Sequence, residues 1–226
     1  MPAFPCFTSG SAVPLDDFAP YQDLAGNLLP HGLDAAGDGS HDLAHLRRVW
    51  RSAQRIRARE GGDPVILLAA ALLHDCVHVE KNSSLKAEAS RRAADKASAV
   101  LESIGWEPGR VGQVAHAIAA HSFSAGIEPE TLEARILQDA DRLDALGAIG
   151  VARCFYTAGR MNSLLYDPED PEARNRPYDD RRYAVDHFRT KLLNLASGFR
   201  TEAGAHLARE RHERLERFLR EFQDEI

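Results

Sequence analysis

Three short segments of this chain combine groups able to hold a metal ion. The first runs His41-Asp42-Leu43-Ala44-His45-Leu46-Arg47-Arg48-Val49, the second Leu72-Leu73-His74-Asp75, the third Gln138-Asp139-Ala140-Asp141-Arg142-Leu143-Asp144. Each sets imidazoles or carboxylates beside apolar residues of the kind that form a core. His74 and Asp75 end the most apolar run of the sequence. Burying an ionised carboxylate there is costly unless a cation or hydrogen bonds compensate, and a divalent metal compensates well. Asp141 poses the same problem among Ile136, Leu137, Leu143, Ala145 and Leu146. Two imidazoles with two carboxylates form a mixed N/O set. Such a set suits one divalent ion of the Mn²⁺, Fe²⁺, Co²⁺, Ni²⁺ or Zn²⁺ type; Mg²⁺ normally prefers oxygen. Four protein ligands on a six-coordinate ion leave room for water and a phosphate oxygen. The ion would lower the pKa of that water and draw charge off a phosphoryl group.

Other residues compete for or extend this set. His41 shares a helical face with His45 if the helix already includes it. The HxxxH spacing lacks a zinc protease's glutamate, because Asp42 stands in its place; a cap or a hydrogen bond to a ligand is the better role for His41. Asp139 and Asp141, two residues apart on a helix, point in different directions and compete as the third-segment ligand. Asp139 and Asp144 are candidates to orient a ligand histidine or Arg142. Arg48 can hold a phosphate bidentately or pair with Asp144. Glu80, Lys81 and Asn82 follow the doublet, with Lys81 a phosphate contact and Glu80 a general base. His121 is a candidate substrate or leaving-group contact, and His116 and His121 are weighed as ligands of a second metal. Cys76 reads as a small core residue.

The elements that must position these groups are helical. Leu43, Leu46, Val49, Trp50, Ala53 and Ile56 recur at three and four residues, as one helical face requires. Gly61-Gly62 ends that helix, and Asp63-Pro64 opens the next as N-cap and first turn. VILLAAALLH is apolar all round and belongs in the core. Further helices are predicted over Ser84–Ile104, Glu107–His121, Glu128–Gly150 (broken near Asp139), Asp179–Ala196 and Thr201–Glu225. Residues 159–177 form a long proline-bearing loop that could cover a site. Asp179, Asp180, Arg181 and Arg182 could cap the helix after it. A shorter helix is expected around Asp16–Leu29. Sustained period-two alternation and internal repeats are absent, so the fold class is all-α, a bundle of about six to eight helices. Residues 1–38 read as a partly irregular N-terminal segment, and 39–226 as one domain with a C-terminal helical extension.

Composition fits a soluble globular chain: 226 residues, 44% hydrophobic and 27% charged, with a net charge of −6. Without a basic block, a nucleic-acid polymer is not an expected partner; a small phosphorylated substrate is. Cys6, Cys76 and Cys154 are odd in number and form no CxxC, which fits a reducing cytoplasm better than a disulfide framework. Neither a secretory leader nor an apolar run of about 18 residues is present, so no membrane role is expected. The amphipathic C-terminal helix suits a homodimer interface as well as a core.

Taken together, the segments resemble the HD superfamily of metal-dependent phosphohydrolases. HLRRV matches its first histidine at His45, LLHDC its doublet at His74 and Asp75, and ADRLD its later aspartate at Asp141. The likeness spans Asp42 to Leu146 and extends to the small single-domain bacterial HD hydrolases called YedJ-like, through LLHDCVHVEKN, AIAAHSFSAG, LQDADRLDALGAIGVAR and RPYDDRRYAVDHFRTKLLNL. It implies an HD-domain helical fold, metal ligands His45, His74, Asp75 and Asp141, and hydrolysis of a phosphate ester or anhydride, with a nucleotide as first substrate class. A nucleotide-sensing module with little turnover and a di-iron oxygenase are the competing classes.

Overall fold

The computed structural model describes residues 14–33, 42–77 and 88–226. Among these, the fold is all-α. A 3-10 turn at Asp16–Phe18 leads to α1 (Gln22–Gly32), α2 (Leu43–Glu60), α3 (Pro64–Leu73), α4 (Ala89–Ser103), α5 (Pro108–His121), α6 (Leu132–Leu143), α7 (Gly147–Arg160), α8 (Asp186–Thr190) and α9 (Glu202–Asp224). The described residues thus form nine α-helices against the six to eight expected.

Local chemistry sets the ends of the central helices. Asp42 caps α2 by accepting from the His45 backbone N–H at 2.9 Å, and Gly61, at φ +87°, ends it in the left-handed region that glycine tolerates. Asp63 accepts from Val65 N and Ile66 N, with Pro64 at the first helical position. Ile66 through Leu73 are all buried, so α3 is the axis of the core. It packs against α1, α2 and α5. At Gly32 of α1 any Cβ would collide with the Leu72 carbonyl, so glycine permits α1 to approach α3 this closely. Phe18, Ala25, Leu28 and Leu29 join the same core. The 3-10 turn and α1 of the N-terminal segment thus pack into the same core as the later helices.

Two expectations are corrected. The 128–150 segment is not one helix broken near Asp139. Asp139 lies inside α6, where Ile136, Leu137, Ala140 and Leu143 are buried. The chain turns instead at Asp144–Leu146 and restarts as α7 at Gly147, with φ +67°; α7 then extends to Arg160. The 179–196 segment is mostly not helical. Buried Asp186 accepts from Arg176 and from Asp179 N, which ties the preceding loop down and leaves room for the five-residue α8 and a 3-10 turn at Leu192–Asn194. Leu164 bridges this segment through Arg182 O and Ala184 N. At the C-terminus, α9 packs on α2, α6 and α7, burying Leu207, Leu215 and Leu219 in the common core. Among the described residues, no helix is long and apolar enough to cross a membrane.

Candidate metal centre

Helix ends build the site. His45 stands in the first turn of α2, where the Asp42 cap fixes its backbone. His74 and Asp75 leave the C-terminus of α3. His121 is the last residue of α5, and Asp141 lies in the last turn of α6. Ends suit this purpose because a side chain there meets neighbouring helices without breaking the apolar packing of their middles.

The three imidazoles share one orientation logic. His45 Nδ1 faces Asp144 Oδ2 at 2.8 Å, His74 Nδ1 faces Ala71 O at 2.9 Å, and His121 Nδ1 faces Ile118 O at 2.6 Å. Each acceptor draws the ring proton to Nδ1 and leaves the Nε2 lone pair pointing inward. His45 Nε2 lies 3.2 Å from His74 Nε2. Asp75 Oδ2 is 3.6 Å from His45 Nε2 and 3.4 Å from His74 Nε2. Asp141 Oδ1 is 3.6 Å and 3.7 Å from the same two atoms. Ligands about 2.1 Å from one ion, at tetrahedral or octahedral angles, stand about 3.0–3.4 Å apart. The observed spacings are close to that range, so these residues fit a divalent ion. His121 Nε2 lies 3.7 Å from Asp75 Oδ1. Two overlapping sets have ligand atoms within 4.8 Å of one another: His45, His74 and Asp141, and His74, Asp75 and His121.

Burial shows which side is open. The side chains of His45 and His74 are 0% exposed, whereas those of Asp75 and Asp141 are 27% and 30% exposed. Burial alone would lower the pKa of His45 and His74, but the surrounding carboxylates more than offset it. For His45 these are chiefly Asp144 and Asp75, for His74 Asp75 and Asp141, and both pKa values are raised. His121 is lowered, by burial and by the charge of His74. Burial raises the Asp141 pKa, but His74 and the other imidazoles overcome it and bring it down to about 2. Such a concentration of mutually stabilising opposite charges is what a cation would replace.

Behind His45, Asp144 is almost fully buried. Arg48 grips it bidentately, Nε to Oδ1 at 2.6 Å and Nη2 to Oδ2 at 2.9 Å, and Arg153 Nη1 adds a bond to Oδ2 at 2.5 Å. Of the two roles open to Arg48, the Asp144 pair is the one made here. Asp144 therefore orients a candidate ligand, as its type and place suggest. Asp139 turns elsewhere: it accepts from Arg200 N, Thr201 N and Thr201 Oγ1 at 2.7–2.8 Å and so docks the start of α9. Between the two aspartates of the third segment, Asp141 is the one at the centre. His116 also lies apart, accepting from Glu130 N at 3.0 Å. Cys76 is buried, as expected. Sequence reasoning missed Arg153. It lies nine residues after Asp144, beyond the turn at 144–146, and no helical spacing links the two. Glu80, Lys81 and Asn82, with His41, lie outside the described residues.

An all-α bundle that gathers histidines and aspartates at its helix ends defines a class of helical proteins equipped to hold a divalent metal. The comparisons with known proteins agree. The HD domain family model matches residues 42–146. The protein YpgQ of Bacillus subtilis is 34% identical over 190 residues, covering 82% of this chain and 84% of that one. The crystal structure of an HD-superfamily hydrolase from Bacillus thuringiensis aligns with TM-score 0.69 and 33% identity, over 90% of this chain and 96% of that one. The crystal structure of YpgQ in complex with ADP aligns with TM-score 0.66 and 29% identity, over 90% and 95%. The chain belongs to the HD domain family.

Proposed function

We propose that the protein is an HD-type phosphohydrolase of one divalent metal ion, acting on a small phosphorylated metabolite, with nucleotides as the first class. The observation that carries this reading is the convergence of the His45 and His74 Nε2 atoms on the Asp75 and Asp141 carboxylates, with every imidazole Nδ1 turned outward to an acceptor. The complex of the related YpgQ with ADP supports a nucleotide. The cysteine pattern supports a cytoplasmic setting.

His45, His74, Asp75 and Asp141 would hold the ion. When bound, it would supply Lewis acidity toward a phosphoryl oxygen and lower the pKa of a water molecule. Asp144 keeps the His45 Nε2 lone pair aimed inward. The half-open Asp75 and Asp141 carboxylates would face the entering substrate, and Asp75 would take a proton there. His121 Nε2, beside Asp75, can donate to a leaving group once protonated. Glu80 as a base and Lys81 as a phosphate contact complete the proposal from sequence alone.

The test is a phosphate- and pyrophosphate-release screen on metal-stripped protein refilled with Mn²⁺, Co²⁺, Ni²⁺ or Mg²⁺, using nucleotides and phosphomonoesters. Turnover should require metal and fall at least about 10³-fold in Asp75→Ala. Undiminished turnover in that variant, or none in protein carrying a metal, would overturn the reading.

A further inference from the structure

A cavity lies behind the centre. It encloses about 300 Å³ between α7 and the 180–195 stretch, a volume at the lower end of small-molecule sites. His45, His74, Asp75, Asp141 and His121 are not among its described lining residues. Its inner wall is apolar, formed by Cys154, Ala158, Ala184 and Leu192, among others. Arg153, Arg181 and Lys191 bring positive charge to it. The lining carboxylate, Asp180, is already engaged by His187 Nδ1 at 2.9 Å and Thr190 Oγ1 at 3.0 Å. The cavity therefore has the chemistry of an apolar pocket with a cationic rim.

Arg153 joins this cavity to the centre. Its Nη1 binds Asp144 Oδ2, the oxygen that also faces His45 Nδ1. A guanidinium has five N–H donors, so others remain for a ligand. We propose that this cavity binds a small organic oxyanion with a compact apolar body, a phosphate monoester or a carboxylate, and that its occupancy is felt at the centre through Arg153, Asp144 and His45. The sign follows from charge. An anion here adds negative potential near His45 and offsets part of the Arg153 charge felt by Asp144, and both effects strengthen binding of a cation. By linkage, metal then tightens the anion by the same factor. The coupling, though not the binding, rests on the metal centre proposed above.

Two probes test it: phenylphosphonate, which carries no hydrolysable phosphate ester, and benzoate. Each is titrated calorimetrically into the metal-free protein and its Asp75→Ala variant. Saturable binding with a Kd of about 1 mM or below is expected in both. Binding of phenylphosphonate alone assigns phosphate monoesters, and binding of benzoate alone assigns carboxylates. Ala158→Trp fills the cavity and should abolish binding. Arg181→Glu reverses charge at an exposed position and should weaken it about tenfold, which keeps the test open if Ala158→Trp fails to fold. No saturable binding by either probe, or unchanged affinity in the folded variants, overturns the site. Free Mn²⁺, followed by electron paramagnetic resonance, should show affinity rising about fivefold with the bound probe. A rise that persists in Arg181→Glu at the same probe concentration places the probe at the centre and overturns the coupling. Because these readouts need no turnover, failure of the hydrolase reading is scored separately.

Discussion

Asp144 Oδ2 stands 2.8 Å from His45 Nδ1, across 99 residues of sequence, at the midpoint of a chain from Arg48 and Arg153 to the centre. Two guanidinium groups keep this buried carboxylate ionised: burial would raise its pKa, but His45 and Arg48 hold it well below the usual carboxylate range. The carboxylate in turn fixes the ring of His45.

Asp144→Ala removes that acceptor and leaves Arg48 and Arg153 without it. Metal affinity should fall about 10–100-fold, the usual cost of losing such a partner. Asp144→Asn, which keeps a carbonyl oxygen, should lose less. Competition with a chelator measures both, and wild-type affinity in Asp144→Ala would show that Asp144 does not orient a ligand.

Metal uptake should depend on pH in a definite direction. In the metal-free protein the pKa values of His45 and His74 are raised. Their imidazolium–carboxylate pairs thus stabilise the fold fully below the ordinary histidine pKa, and that contribution is lost as pH rises through the raised values. His121, with a lowered pKa, works in the opposite sense. A metal needs neutral imidazoles, so binding releases protons and tightens as pH rises. Between about pH 6 and about pH 9, metal should therefore raise Tm by a growing margin. Calorimetry in buffers of different ionisation enthalpy counts the protons, and a margin that shrinks toward high pH would contradict the assignment.

Asp139 and Asp141 should separate cleanly by phenotype. Asp139→Ala deletes three hydrogen bonds to Arg200 and Thr201, leaving buried donors unsatisfied at the start of α9. Stability should drop by about 2–4 kcal/mol with metal stoichiometry intact. Asp141→Ala should lose metal at smaller cost to the metal-free fold. Chemical denaturation beside metal analysis distinguishes them, and the opposite pattern would exchange their roles.

Much of the fold follows from interactions within a turn or two. Asp42, Gly61 and the Asp63-Pro64 pair act on their own helix ends, so α2 and α3 begin and end where sequence places them. The His-Asp doublet on an all-apolar helix exposes a buried-charge problem that needs no partner to be seen. The break between α6 and α7, the shortness of α8 and the role of Asp139 are different. Asp139 answers to Thr201, 62 residues on, and Asp186, at the first residue of α8, ties down through Arg176 and Asp179 a loop whose last part local pattern reads as helix.

By itself the sequence determined the helical class, the capped ends of the central helices and the residues able to face a metal, because periodicity, capping and the cost of buried charge are local. Tertiary structure decided which of those residues meet and which way each imidazole points. It also decided that Arg153 stands between the centre and the cavity beside α7. Those outcomes depend on acceptors from distant helices, brought into place only when the apolar faces pack.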